Sequence, residues 1–447
     1  MGNKWNSEER REYRRKRRQR NQIVAYIVLF LIIALVAVGI VQGMKYHSGQ
    51  QQEEETIVQE SHQAVIEEIE EIISSEEEIA PPTATPVPTE VPKTPQELWE
   101  ERIDAQIAAM PLTDKVAGLF VVTPEAVTGV GTAIKAGNST KEALEKYPVG
   151  GIIYFKKNIR SAEQLKEMIG NTKAYSKYPV FIAVDEEGGS VSRLANAKLA
   201  TKQPSAAEIG ATKDANNAYQ AGTAIGGYLA EFGFDLNFAP VADLSNVENS
   251  IMKDRAYGAD AATVAPFVTA MMNGLEEQGV TACLKHFPGI GSTTADTHKG
   301  MVSVERSAEE LWAEELVVFQ AGIDAGAQMI MVGHADAESL SGDKTPACMS
   351  KVIITDVLRN ELGFQGVVIS DALNMSAISE YYSSEQAAVM ALKAGCDMIL
   401  MPENFEQAYT GVLNAVAEGT ISEERINDSL KRIYWIKLAE ELAVPTE

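Results

Sequence analysis

Eight short apolar runs, each followed by a stretch of helical periodicity, constrain this chain more than any other feature of it. They lie at residues 118–123, 150–155, 179–185, 234–239, 280–286, 328–334, 366–371 and 397–401. The runs are rich in β-branched residues and too short for buried helices, so they read as strands of a parallel sheet covered on both faces. Eight such units in about 350 residues fit the α/β class and, within it, a (β/α)8 barrel of the TIM type. A doubly wound open sheet is the alternative that the same alternation allows.

The ends of the runs carry the chemistry. Barrel active sites are assembled at the C-terminal ends of the strands, and Asp185, Lys285, His286, His334 and Asp371 all close such runs. Any one of them is explained as a hydrogen-bonded loop residue, but five on one rim point to a site. Of the five histidines, His47 and His62 precede the first run, and no H-x-H or H-E-x-x-H spacing is present, so no metal site is expected. Pro288-Gly-Ile-Gly291 follows a strand but lacks the rest of a phosphate-gripping fingerprint, and it reads as a turn. Carboxylate chemistry with histidine help remains. Asp371 is placed to attack an electrophilic carbon, and Asp296-Thr-His298 sets a carboxylate two residues from an imidazole whose tautomer it can fix. Asp296 read as a simple cap of residues 296–301 is the competing account.

The first 95 residues are of a different kind. Residues 23–41 carry no charge and are long enough to cross a bilayer as a helix. Nine Lys or Arg in residues 1–20 precede them, so the 1–22 tail is expected to stay cytoplasmic and the rest to be extracytoplasmic. A cleaved signal peptide is the rival, disfavoured by the length of the run. Residues 42–95 are Glu-rich and then Pro/Thr-rich, and are expected to form an unstructured acidic tether ahead of a catalytic unit at 96–447. Apolar residues at intervals of seven (Val58, Val65, Ile72, Ile79) hint at a coiled coil, but the companion positions Ser61, Glu68 and Ser75 are polar. The net charge is −24, of which about −20 falls after residue 94, which excludes a nucleic-acid partner. Cys283, Cys348 and Cys396 lie far apart and are expected to be buried hydrophobes.

Five stretches occur in an order that resembles glycoside hydrolase family 3, and within it the bacterial β-N-acetylglucosaminidase (β-N-acetylhexosaminidase) branch. They are Ala183-Val-Asp-Glu-Glu-Gly-Gly-Ser-Val-Ser-Arg193, Asp254-Arg-Ala-Tyr-Gly258, Lys285-His-Phe-Pro-Gly289, Asp296-Thr-His298 and Ser370-Asp-Ala-Leu-Asn-Met375. The resemblance covers roughly residues 96–437. It implies a barrel that removes terminal β-linked N-acetylglucosamine with retention, without metal or cofactor, often from peptidoglycan fragments. It also implies that Asp371 is the nucleophile, His298 the general acid/base and Asp296 its partner, with Asp185, Arg193, Arg255, Lys285 and His286 holding the sugar. Many β-glucosidases of the family take the acid/base from a second domain; with this sequence ending at Glu447, His298 is expected to supply the proton. Two positions depart from the family pattern: Ile290 stands where a histidine is usual, and Thr297 where serine is commoner. The first puts the fold of its loop and part of substrate recognition in question. The expected substrate is an amino-sugar oligosaccharide or muropeptide, small because an acidic protein gains no long-range steering toward anionic wall. A β-glucosidase or β-xylosidase of the same fold, and a silent sugar-binding protein, are the alternatives.

Overall fold

The computed structural model describes residues 93–295 and 299–438. The expected 1–22 tail, the 23–41 membrane helix and the tether up to residue 92 lie outside the described residues, as do Asp296, Thr297 and His298. Among the described residues no helix is long and apolar enough to cross a membrane.

All eight apolar runs contain strands: β1 Phe120–Val122, β2 Gly151–Ile153, β3 Phe181–Val184, β4 Leu236–Asn237, β5 Thr281–Phe287, β6 Met329–Val332, β7 Val367–Ser370 and β8 Ile399–Leu400. They pair in parallel in the order β7-β6-β5-β4-β3-β2-β1-β8. The open-sheet alternative fails on two contacts. β1 pairs with β8 through Phe120 with Ile399 and Val121 with Leu400, and a parallel bridge between Ile369 and Met398 closes β7 onto β8. Every residue of β1, β2, β3, β6 and β7 is buried, which is why these strands read as unbroken apolar runs rather than alternating ones.

The helices between strands start where the sequence supplies caps. α1 Pro95–Ala109 begins one residue earlier than the expected start of the catalytic unit at residue 96. Thr94 and Glu97 form a reciprocal capping box there, and a proline at the first helical position forfeits no intrahelical hydrogen bond. The principal outer helices are α2 Asn138–Lys146, α3 Ala162–Tyr175, α4 Asn216–Phe232, α5 Ala261–Glu276 and α6 Glu315–Asp324, then a π-helical turn Val352–Glu361, α7 Ser384–Ala394 and α8 Phe405–Ala417. The side chains of Ser161, Asp260, Ser383 and Asn404 cap α3, α5, α7 and α8. The last described helix, α9 Glu423–Lys437, is tied under the barrel by Asp397. That fully buried carboxylate accepts from Ser429 (2.8 Å), Arg432 (3.2 Å), Arg359 (2.5 Å) and the Val368 N–H (3.0 Å). It lies at the start of β8, on the face where barrels invest in stability rather than chemistry. The three cysteines are free and buried.

Candidate active site

The ends of β3, β4, β5 and β7 and the loops that follow them lie on one end of the barrel, and they bring six of the eight predicted residues together. Asp185, Arg193, Arg255, Lys285, His286 and Asp371 line one cleft of about 730 Å³. Asp185 directly follows β3, Lys285 and His286 sit within β5, and Asp371 directly follows β7. The remaining two, Asp296 and His298, are outside the described residues.

The charges in the cleft alternate in sign along a chain of contacts. Lys285 Nζ donates to Asp185 Oδ1 at 3.0 Å and pairs with Glu187 Oε1 at 2.6 Å. Arg255 grips Glu187 through Nε and Nη2 at 2.8 and 2.7 Å, and Arg193 Nη2 reaches Asp185 Oδ2 at 3.3 Å. Burial alone would neutralise Glu187, but Lys285 and Arg255 outweigh it and hold the carboxyl well below its ordinary value. Burial likewise opposes the Lys285 charge, and Glu187 and Asp185 outweigh it, so the ammonium is held above its ordinary value. The cleft is therefore a set of fixed charged donors and acceptors, the kind of surface that recognises a polyhydroxylated ring.

Asp371 sits on the floor of this set. Its N–H is held by the Val332 carbonyl (2.9 Å), and its Oδ1 accepts the Ala372 N–H at 2.7 Å. Burial pushes the carboxyl up, but His334, His286, the Ala372 N–H and Lys285 together bring it below the usual value. An ionised, well-oriented carboxylate facing a cleft is a competent nucleophile toward an electrophilic carbon. His334 follows β6 and holds the backbone beside it, with Nε2 2.8 Å from the Ala372 carbonyl and Nδ1 3.4 Å from Cys348 Sγ. The His286 ring is fixed from behind, its Nδ1 lying 2.7 Å from Oδ2 of the fully buried Asp243. Asp243 also accepts the His286 N–H (3.2 Å) and the Ile290 N–H (2.7 Å).

Sequence reasoning gave no role to Asp243 or Glu187, and it placed His334 on the rim without assigning it one. For Glu187 a signal was available. In extended backbone, residues two apart share a face, so Asp185 and Glu187 point into the cleft together, while Glu186 between them points away. Glu186 accepts the N–H groups of Arg193, Leu194 and Ala195 and the Tyr228 hydroxyl, which fixes the loop that carries Arg193. Asp243 gave no such signal, because its partners lie 43 and 47 residues further along the chain.

Residues 111–436 match the model of the glycosyl hydrolase family 3 N terminal domain. The chain belongs to that family. Among known members, the beta-hexosaminidase A of Pseudoalteromonas piscicida is 32% identical over 325 residues, covering 66% of this chain and 54% of that protein. The beta-hexosaminidase of Nitrosomonas eutropha is 36% identical over 273 residues, covering 59% of this chain and 77% of that one. A solved glycoside hydrolase family 3 beta-N-acetylglucosaminidase from Paenibacillus sp. str. FPU-7 superposes with a TM-score of 0.71 at 34% identity, covering 76% of this chain and 64% of that chain. The chain thus spans little more than half the length of the first of these relatives and under two thirds of the last. Within the family 3 pattern, the departure at Ile290 leaves this loop anchored. The Ile290 backbone N–H holds Asp243, and its buried side chain forms part of the cleft wall.

Proposed function

We propose that this chain is a retaining β-N-acetylglucosaminidase, anchored in the membrane by residues 23–41, with its N-terminus cytoplasmic and its barrel held outside the cell by the 42–95 tether. The observation that carries the reading is Asp371. It is an ionised carboxylate at the end of β7, set among charged groups spaced to hold sugar hydroxyls. The names of the relatives favour N-acetylglucosamine as the sugar, and an extracytoplasmic position makes peptidoglycan fragments the natural source.

In this reading Asp371 attacks the anomeric carbon as the glycosidic C–O bond breaks, and the leaving oxygen takes a proton from His298. His298, now a base supported by Asp296, removes a proton from water. That water displaces Asp371 from the same face on which the aglycone left, which gives retention. Asp185, Arg193, Arg255, Lys285 and His286 bind the ring throughout. The test uses the full chain in detergent without added metal, on matched nitrophenyl β-N-acetylglucosaminide and β-glucoside, beside Asp371→Ala. Cleavage of the acetylated sugar alone is expected, with turnover reduced about 10³-fold or more in the variant. Cleavage of neither sugar by folded protein, or normal turnover by Asp371→Ala, would refute the reading. In cells, the full chain is expected in the membrane fraction after a high-salt wash.

A further inference from the structure

We propose that Glu187 is a positioning residue, whose carboxylate clamps Arg255 to Lys285 so that the two cations meet the same sugar ring. The inference rests on the functional reading above and goes beyond it by giving a role to a residue that touches no reacting atom. A single oxygen, Oε1 of Glu187, lies 2.6 Å from Lys285 Nζ and 2.7 Å from Arg255 Nη2. The cations come from different parts of the barrel, Lys285 from β5 and Arg255 from the segment after β4, and side by side they repel one another. Only a carboxylate between them makes a close pair of cations stable in a buried cleft.

Glu187 is built for that place. Its side chain is 7% exposed against 18% for Asp185, so it lies deeper in the cleft wall than Asp185. Its N–H donates to the Val191 carbonyl at 2.8 Å across a tight turn. Gly188 and Gly189 make that turn at φ 94° and 56°, conformations that favour glycine. A Cβ on Gly188 would fall 2.6 Å from the Pro204 carbonyl oxygen, so the turn cannot be relaxed by substitution there. The Lys285 ammonium has three donors. Asp185 and Glu187 take two, which aims the third and leaves it for a substrate hydroxyl. The ionisable groups facing Lys285 are Asp185 and Glu187 after β3, Arg255 after β4, Cys283 in β5 and Asp371 after β7. Removing the charge of Glu187 leaves Arg255 pressing on the ammonium with one carboxylate fewer to oppose it.

Two variants of the full-length protein separate positioning from bulk stability. Glu187→Gln keeps the shape and removes the charge, and Glu187→Asp keeps the charge on a shorter arm. For Glu187→Gln the KM for nitrophenyl N-acetylglucosaminide, and the calorimetric Kd for N-acetylglucosamine, are expected to rise together about tenfold or more, with kcat changed far less. Glu187→Asp should recover part of this effect. On an Arg255→Ala background, the Glu187→Gln effect on KM should shrink, as coupling through Arg255 requires. The ¹³Cε shift of Lys285, followed against pH, reads the clamp without substrate: its titration should move to lower pH in Glu187→Gln. A folded Glu187→Gln protein with unchanged KM and unchanged Lys285 titration overturns the proposal. Wild-type protein that cleaves neither sugar, while the Lys285 titration moves as expected, instead refutes the enzymatic reading and leaves the clamp standing.

Discussion

Asp243 shows how much of this site rests on single buried groups. It is fully buried and takes three hydrogen bonds, from the His286 ring, the His286 N–H and the Ile290 N–H. Asp243→Ala would leave two N–H groups and a ring nitrogen without partners, at a cost of about 3–5 kcal/mol. Asp243→Asn keeps one acceptor oxygen and is expected to cost about half as much. In both, His286 loses its fixed tautomer, so kcat/KM should fall about 10-fold to 100-fold in the folded fraction. Thermal unfolding beside steady-state kinetics checks this, and an Asp243→Ala protein as stable and active as wild type would show the contacts to be incidental. The same residue marks what a sequence hides. Asp185, Lys285, His286 and Asp371 were legible because a buried strand has no reason to end in a charge. Asp243 sits in an ordinary-looking Val241-Ala-Asp-Leu-Ser245 loop, and its purpose appears only when β5 is brought beside it.

At the level of elements, the strands were legible and the loops that join them were not. A buried parallel strand must be apolar along its whole length, and that pattern survives in sequence without its partners. A loop is shaped by what it meets. Gly291, in the loop after β5, is the sharpest case: a Cβ there would fall 1.5 Å from the carbonyl oxygen of Leu244 in the loop after β4. Its role is a close approach of two backbones, which spacing in sequence cannot show. Gly291→Ala must therefore push apart the loops that carry Asp243 and lead toward Asp296 and His298. We expect a loss of about 2 kcal/mol or more in stability and a fall in kcat/KM larger than that loss explains. Gly131→Ala, where a Cβ would meet nothing within 4 Å, is the control and should stay within about 0.5 kcal/mol of wild type. Equal behaviour of the two variants in calorimetry and kinetics would show that the contact with Leu244 yields freely.

Over the whole molecule, barrel closure and the charge balance act at longer range. Closure was predictable from the count of eight. The device that secures it, Asp397 shared among Arg359, Arg425 and Arg432, was not, since Arg359 lies 38 residues before it and Arg425 and Arg432, both on α9, lie 28 and 35 residues after it. Charge has the opposite character: the net −24 is read directly from composition, yet its effect depends on where the cations lie. In the cleft the three cations Arg193, Arg255 and Lys285 are balanced by the three carboxylates Asp185, Glu187 and Asp371, so they offer an approaching anion little beyond contact distance. The field of the whole protein then dominates the encounter and repels anionic substrate. Screening removes that repulsion, because the Debye length falls to about 10 Å at 0.1 M salt. Raising salt from about 0.01 to 0.2 M is therefore expected to lower KM about twofold to fivefold for a fragment bearing a free peptide carboxylate, and to leave KM for neutral nitrophenyl N-acetylglucosaminide unchanged. The opposite sign, a KM for the anionic fragment that rises with salt, would mean that the cleft cations attract substrate from a distance despite their partners. Intact anionic wall would then be as natural a substrate as its fragments.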